Sequence, residues 1–197
     1  MKRNLLLISN STNAGEKYLD WCKDMIKDFC TESGVKNVLF IPYAGVSMGY
    51  DNYETKVANV FKGLGLNLYS IHKEKDANMG WSAGSNVAGL SLKTTNDMPI
   101  IEPESFDCMK LVPFQINPHY TDFFDPKHGG ETRDDRLNEF TKVNPDVYVA
   151  AIREATALRL KEGKLKLIGR DNKMKVFHGA DEPKEYDLNA DINFLMK

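Results

Sequence analysis

The sequence predicts an α/β protein built on a doubly wound, mostly parallel sheet with helices on both faces. Three observations predict it. Short apolar runs alternate with stretches of helical periodicity over residues 5–71. The runs are apolar at consecutive positions, as strands buried on both faces require. Glycine or proline punctuates their ends.

"LLLIS" (Leu5–Ser9) is the first strand, bounded by the polar loop "NSTNAG". From Glu16 onward Leu19, Cys22, Ile26 and Phe29 recur at helical spacing, and Gly34 follows the helix end. "NVLFIP" is a second buried run, stopped by Pro42. "YDNYETKVANVFKGLG" places Tyr53, Val57, Val60 and Leu64 on one helical face and again ends in glycine; "LNLYSI" is a third strand. Right-handed crossovers would bring the loops after strands one and two, "SNST" (Ser9–Thr12) and "YAGV" (Tyr43–Val46), to the carboxyl edge where such sheets bind ligands. Further on, "LVPFQINPHY" reads as a mixed extended segment. "ETRDDRLNEFTKV" reads as a helix with Thr132 and Asp135 at capping-box spacing. "DVYVAAI", "ALRLKEGKLKLIG" and "NKMKVFHG" read as strands, the middle one a hairpin turning at Glu162-Gly163. Without a repeat or a long linker, residues 1–197 are expected to form a single domain.

At 197 residues and 42% hydrophobic content, the chain can bury a sizeable core. A formal net charge of −2 gives no footprint for nucleic acid or an anionic membrane, so neither is expected as a partner. "MKRNLLLISNS" has too short an apolar run for a secretory h-region, and no run approaches a membrane span. Cys22, Cys30 and Cys108 form no C-x-x-C pair and read as small core residues of a reducing compartment. The expected location is the cytoplasm.

"NMGWSAGSN" (Asn78–Asn86) contains G-x-S-x-G, the spacing of a nucleophile elbow, with the Ala83 amide placed to face an oxyanion. An elbow needs a strand running into it, yet "SIHKEKDANM" ahead of it is polar and charged. The alternative is a glycine-rich turn that matches by chance. His119, in "INPHYTDF", is the natural base, and the alternative is a surface turn histidine; His72, His128 and His178 sit in less promising contexts. Asp97, in "KTTNDMPII", could orient the imidazole, or could simply bond its own backbone in a turn. Arg133, in "GGETRDDR", opposes the helix dipole and suits a substrate carboxylate; the alternative is an ion pair with Asp134 or Asp135.

Taken together, "SNST", "IPYAGV", "GWSAGSN", "TTNDMPI", "QINPHY" and "GETRDDR" resemble, in that order, the motifs of peptidase E, the aspartyl dipeptidases, over Leu5 to about Ile152. The resemblance implies a cytoplasmic serine peptidase with a class I glutamine-amidotransferase-like fold, needing no metal or organic cofactor. It implies Ser82 as nucleophile, His119 as general base, Asp97 as orienting acid and Arg133 as the partner of a substrate aspartate. The expected partner is a small acidic dipeptide, and the expected state is a monomer. Members of the family also carry a strand ending in a glycine-rich turn, a helix and a strand before the serine. None of these stands between Ala77 and Asn78, a missing piece of roughly 30–40 residues, the size of one βαβ-type unit. Two other functions fit the same motifs: cleavage of other aspartyl linkages, such as those of aspartate-rich storage polymers, and a non-catalytic protein that lost its oxyanion loop.

Overall fold

In the computed structural model, residues 4–71, 79–98, 100–127 and 129–197 are described; the Ala77–Asn78 junction, His72 and His128 lie outside them. The chain forms two compact units, Ser11–Met79 and the remainder, Met1–Asn10 with Gly80–Lys197.

In the Ser11–Met79 unit, Leu19 takes a left-handed conformation (φ 58°), so α1 begins only at Lys23 and runs to Glu32, preceded by a 3-10 turn. Gly34 (φ 64°) closes it as expected. β2 (Asn37–Phe40) and β3 (Asn67–Ser70) pair in parallel across α2 (Tyr50–Gly63), a right-sized βαβ crossover. Val57 and Phe61 of α2 are fully buried.

The larger unit holds two four-stranded sheets. β1 (Leu5–Ile8) lies between β4 (Met79–Trp81) and β7 (Thr156–Lys161), with β8 (Lys164–Gly169) outside β7. The second sheet runs β10 (Lys184–Tyr186), β9 (Met174–Phe177), β6 (Val149–Arg153), β5 (Gln115–Tyr120). Their facing sides supply Leu5, Leu7, Ile116, Ala150, Ile152, Leu158 and Leu167 to one core. Val149 and Ala151, on the opposite face of β6, pack with Leu137 of α4 (Arg133–Val143). The two faces of β6 thus explain its unbroken apolar run. The Glu162-Gly163 turn joins β7 to β8 with φ 53° and 81°, the positive pair a two-residue hairpin needs. The capping box at Thr132 and Asp135 is formed, in both directions.

The expectation of one mostly parallel sheet needs correction among the described residues. β2–β3 and β5–β6 pair in parallel, whereas β1–β7, β7–β8, β6–β9 and β9–β10 are antiparallel. Short connections join β7 to β8 and β9 to β10, and short connections permit only antiparallel neighbours. β1 takes its edge from β7, about 150 positions away, a pairing with no local signature. "SNST" is also not an open ligand loop at its start: Ser9 and Asn10 are fully buried. Cys22 and Cys30 are buried as expected, and burial pushes the Cys22 thiol up to about 12. Among the described residues no helix is long and apolar enough to cross a membrane.

Candidate active site

Ser82 stands between β4 and the short helix α3 (Ala83–Asn86), with φ 52° and ψ −120°. That backbone lies outside the allowed wells of an L-residue, the mark of an elbow that projects its side chain. The strand feeding it is only three residues long, yet it is present and lies beside β1. The Ser82 amide donates to the Ile8 carbonyl at 3.2 Å. The Ser85 hydroxyl lies 2.7 Å from the same oxygen and 3.1 Å from the Gly80 carbonyl. Gly80 is required here, because a Cβ would collide with the Gly84 carbonyl, whereas Gly84 itself faces open space.

His119 owes its position to a β-bulge. The β5–β6 register shifts between Asn117 and Tyr120, and His119 takes φ 53° inside the shift. An extra residue in a strand re-aims a side chain, here toward α3. Ser9 pins the bulge: its hydroxyl accepts from the His119 amide at 3.1 Å and donates to the Ile152 carbonyl at 3.0 Å. The ring then reaches the serine, with Nε2 3.0 Å from Ser82 Oγ.

The other ring nitrogen corrects the expectation for Asp97. His119 Nδ1 lies 3.1 Å from Oε1 of Glu154, not beside Asp97. Glu154 occupies the two-residue turn from β6 to β7, at the carboxyl end of the strand parallel to β5. Ala155 adopts φ 61°, and its amide donates to Asn10 Oδ1 at 3.0 Å. Asp97 lines the same cavity as Ser82, but its carboxylate meets no hydrogen-bond partner among the described residues. An acid in a turn following a buried strand, beside the histidine strand, was the available signal for Glu154; it needed the β5–β6 pairing to be read.

Arg133 is the first residue of α4. Its Nη1 donates to the His119 carbonyl at 2.6 Å, and its guanidinium lines the cavity with Ser82, Ala83 and Asp97. Neither neighbouring acid pairs with it: Asp134 bonds Tyr120 and Lys175, and Asp135 serves the capping box. Burial and the Arg136 charge push the Arg133 pKa down, while Asp97 nearby opposes that. A half-buried cation without a carboxylate partner favours an incoming anion. The Ala83 amide donates to no partner among the described residues, and Ala83 lines the same cavity of about 280 Å³. No group of metal-ligating side chains occurs among the described residues.

A strained elbow serine, an imidazole bonded to its hydroxyl and a carboxylate behind the ring have the form of a serine-hydrolase site. Comparison with known proteins narrows the class. The profile of peptidase family S51 matches residues 5–78 and 77–168, and the chain belongs to that family. A Peptidase E from Nostoc sp. (strain PCC 7120 / SAG 25.82 / UTEX 2576) is 39% identical over 239 residues, covering 100% of this chain and 98% of the relative. A Peptidase E from Shewanella sp. (strain W3-18-1) is 39% identical with full coverage of both. Two solved structures share the fold. A peptidase from an acI-B1 Actinobacterium gives a TM-score of 0.64 at 14% identity, covering 96% of each chain. A putative Peptidase E protein from Listeria monocytogenes EGD-e gives 0.56 at 16% identity, covering 85% of this chain and 98% of that one. The protein is thus a hydrolase of the peptidase class.

Proposed function

We propose that this chain is a serine dipeptidase that removes an N-terminal aspartate from Asp-X dipeptides. The observation that carries the reading is the 3.0 Å approach of His119 Nε2 to a strained Ser82, beside an arginine left without a carboxylate. His119 withdraws the Ser82 proton as Oγ attacks the scissile carbonyl, and Glu154 holds the Nδ1 proton and stabilises the imidazolium. The Ala83 amide faces the developing oxyanion. The imidazolium then protonates the departing amine, leaving an aspartyl ester on Ser82, which water hydrolyses with His119 again as base. Arg133 receives the substrate side-chain carboxylate, and Asp97, across the cavity, meets the α-ammonium. A site built for a carboxylate rejects uncharged side chains strongly, since they leave the guanidinium unpaired.

The test is turnover of Asp-Leu against Asn-Leu and Ala-Leu, with Ser82→Ala as control. Equal rates on all three would remove the aspartyl reading; a polymeric aspartyl substrate cleaved faster than Asp-Leu would favour the other-linkage alternative.

The same proposal takes the chain as one peptidase domain, monomeric and cytoplasmic, on a class I glutamine-amidotransferase-like fold that lacks most of one strand–helix–strand unit, β4 standing in as the strand into the serine. Its support is that the family profile matches in two stretches meeting at 77–78, and that the relatives align over 239 residues against 197 here. The lost unit would carry a second oxyanion donor. Losing one such donor costs about 2.7–4 kcal/mol, which makes this chain a slow member of its family.

A further inference from the structure

Two residues that hold the site's charges in place are themselves held by one element remote in sequence. Arg153 immediately precedes Glu154. Its guanidinium is 13% exposed and forks onto Glu185 of β10, with Nη1–Oε2 2.8 Å and Nη2–Oε1 2.7 Å. It also donates to Asp122 at 3.0 Å and to the Lys173 carbonyl at 3.0 Å. Glu154, by contrast, is 54% exposed, and its carboxylate bonds only His119 among the described residues. The place of that carboxylate therefore depends on the backbone at residues 153–155.

The second connection reaches Arg133. The next residue of α4, Asp134, accepts from Lys175 Nζ of β9 at 2.5 Å and from the Tyr120 hydroxyl at 2.5 Å. Tyr120 is 2% exposed and follows His119. The Arg153 guanidinium lies 5.0 Å and the Lys175 ammonium 5.8 Å from its ring centroid. Lys175 and Glu185 lie beyond residue 168, where the match to the family profile ends.

We propose that the β9–β10 hairpin is a positioning clamp for both sides of the catalytic pocket, Glu185 acting through Arg153 on Glu154 and Lys175 acting through Asp134 on Arg133. This rests on the serine-peptidase reading and extends it to the two residues that set rate and selectivity. Neither hairpin residue touches the cavity. Removing Glu185 leaves the Arg153 guanidinium with Asp122 and the Lys173 carbonyl, and removing Lys175 leaves Asp134 with the Tyr120 hydroxyl; each loses its nearest opposite charge, and the adjacent backbone is the part free to shift. Displacements near 1 Å suffice to disturb a proton relay or a two-point carboxylate contact.

The experiment uses the full chain and two readouts that do not require turnover: the rate of Ser82 labelling by a fluorophosphonate, and the succinate concentration that protects against it. Glu185→Gln should slow labelling by about tenfold or more while leaving protection unchanged. Lys175→Met should raise the protecting concentration by about tenfold with a clearly smaller loss of labelling, passed on through the Arg133–His119 bond, and Lys175→Arg should restore it. A purely structural role would move both readouts together, along with the Tm. Wild-type values of both in folded Glu185→Gln and Lys175→Met would overturn the proposal. If those variants do not fold, Asp122→Asn and Tyr120→Phe carry the same two tests with smaller shifts in the same directions, and wild-type values there would overturn it equally. A wild type that labels but is never protected by succinate sinks the aspartyl reading and the Lys175 arm, while the labelling rate still judges the Glu185 arm. A wild type that does not label at Ser82 removes the nucleophile and the proposal together.

Discussion

Arg133 donates from Nη1 to the main-chain carbonyl of His119 at 2.6 Å, so the guanidinium that lines the cavity and the imidazole beside Ser82 are coupled through one bond. The carbonyl belongs to a residue in a bulge, where the backbone is not held by a regular ladder. Removing the guanidinium therefore takes away a tether on the bulge together with the substrate contact proposed above.

Arg133→Ala should accordingly lower kcat/KM on Asp-Leu by a factor corresponding to about 2–5 kcal/mol. Arg133→Lys should recover little of it, because an ammonium cannot bond the His119 carbonyl and a carboxylate in the same fork. Unchanged kcat/KM in the alanine variant would return Arg133 to the solvated surface.

Glu154 and Asp97 make opposite predictions. Glu154→Gln should cut kcat by about 10³–10⁴-fold, the cost of a histidine deprived of its orienting carboxylate. Asp97→Asn should act mainly through KM on substrates with a free α-ammonium. Steady-state kinetics on the two variants decide the assignment, and a larger kcat loss for Asp97→Asn would reverse it.

The divergence between these two acids shows what a sequence carries. The elbow, the capping box at Thr132 and the Glu162-Gly163 turn are local patterns, each written within about five residues, and each stands where it was expected. Glu154 reaches His119 across 35 positions, through a parallel strand pair and a bulge. Asp97 had the better local context and the wrong neighbours. Likewise Ser9 and Asn10, read as a ligand loop, turn inward to hold the histidine bulge and the Glu154 turn. The sheet partners of β1 and β6 were invisible for the same reason: strand register is decided between distant segments.

Gly80→Ala should destabilise the fold by about 1–3 kcal/mol, since the new methyl meets backbone at Gly84 rather than a yielding side chain. Fluorophosphonate labelling of Ser82 should fall in the same variant. Urea denaturation matching wild type would show that the elbow can open at no cost.

The hairpin clamp also predicts an acid-sensitive stability. The hydrogen bond from Arg153 holds the Asp122 carboxyl below its ordinary pKa. A depressed carboxylate contributes stability above its unfolded value, and that contribution disappears as pH falls through the lower folded value. The Tm advantage of wild type over Asp122→Asn should therefore be constant from pH 7 to about 5 and shrink below about pH 4. An advantage that grows on acidification would contradict the ion pair.

The pairing of β1 with β7 has a consequence in time. Leu5 stands opposite Leu160, so β1 lacks this partner until about 150 further residues have been made. Contacts so far apart in sequence slow folding, because a long loop must close before they reward it. Until then "LLLI", apolar throughout and buried in the finished fold, keeps the edge that β7 will take open to association with other nascent chains. Synthesis rate and chaperone supply, rather than the stability of the finished molecule, should set how much of this protein a cell accumulates.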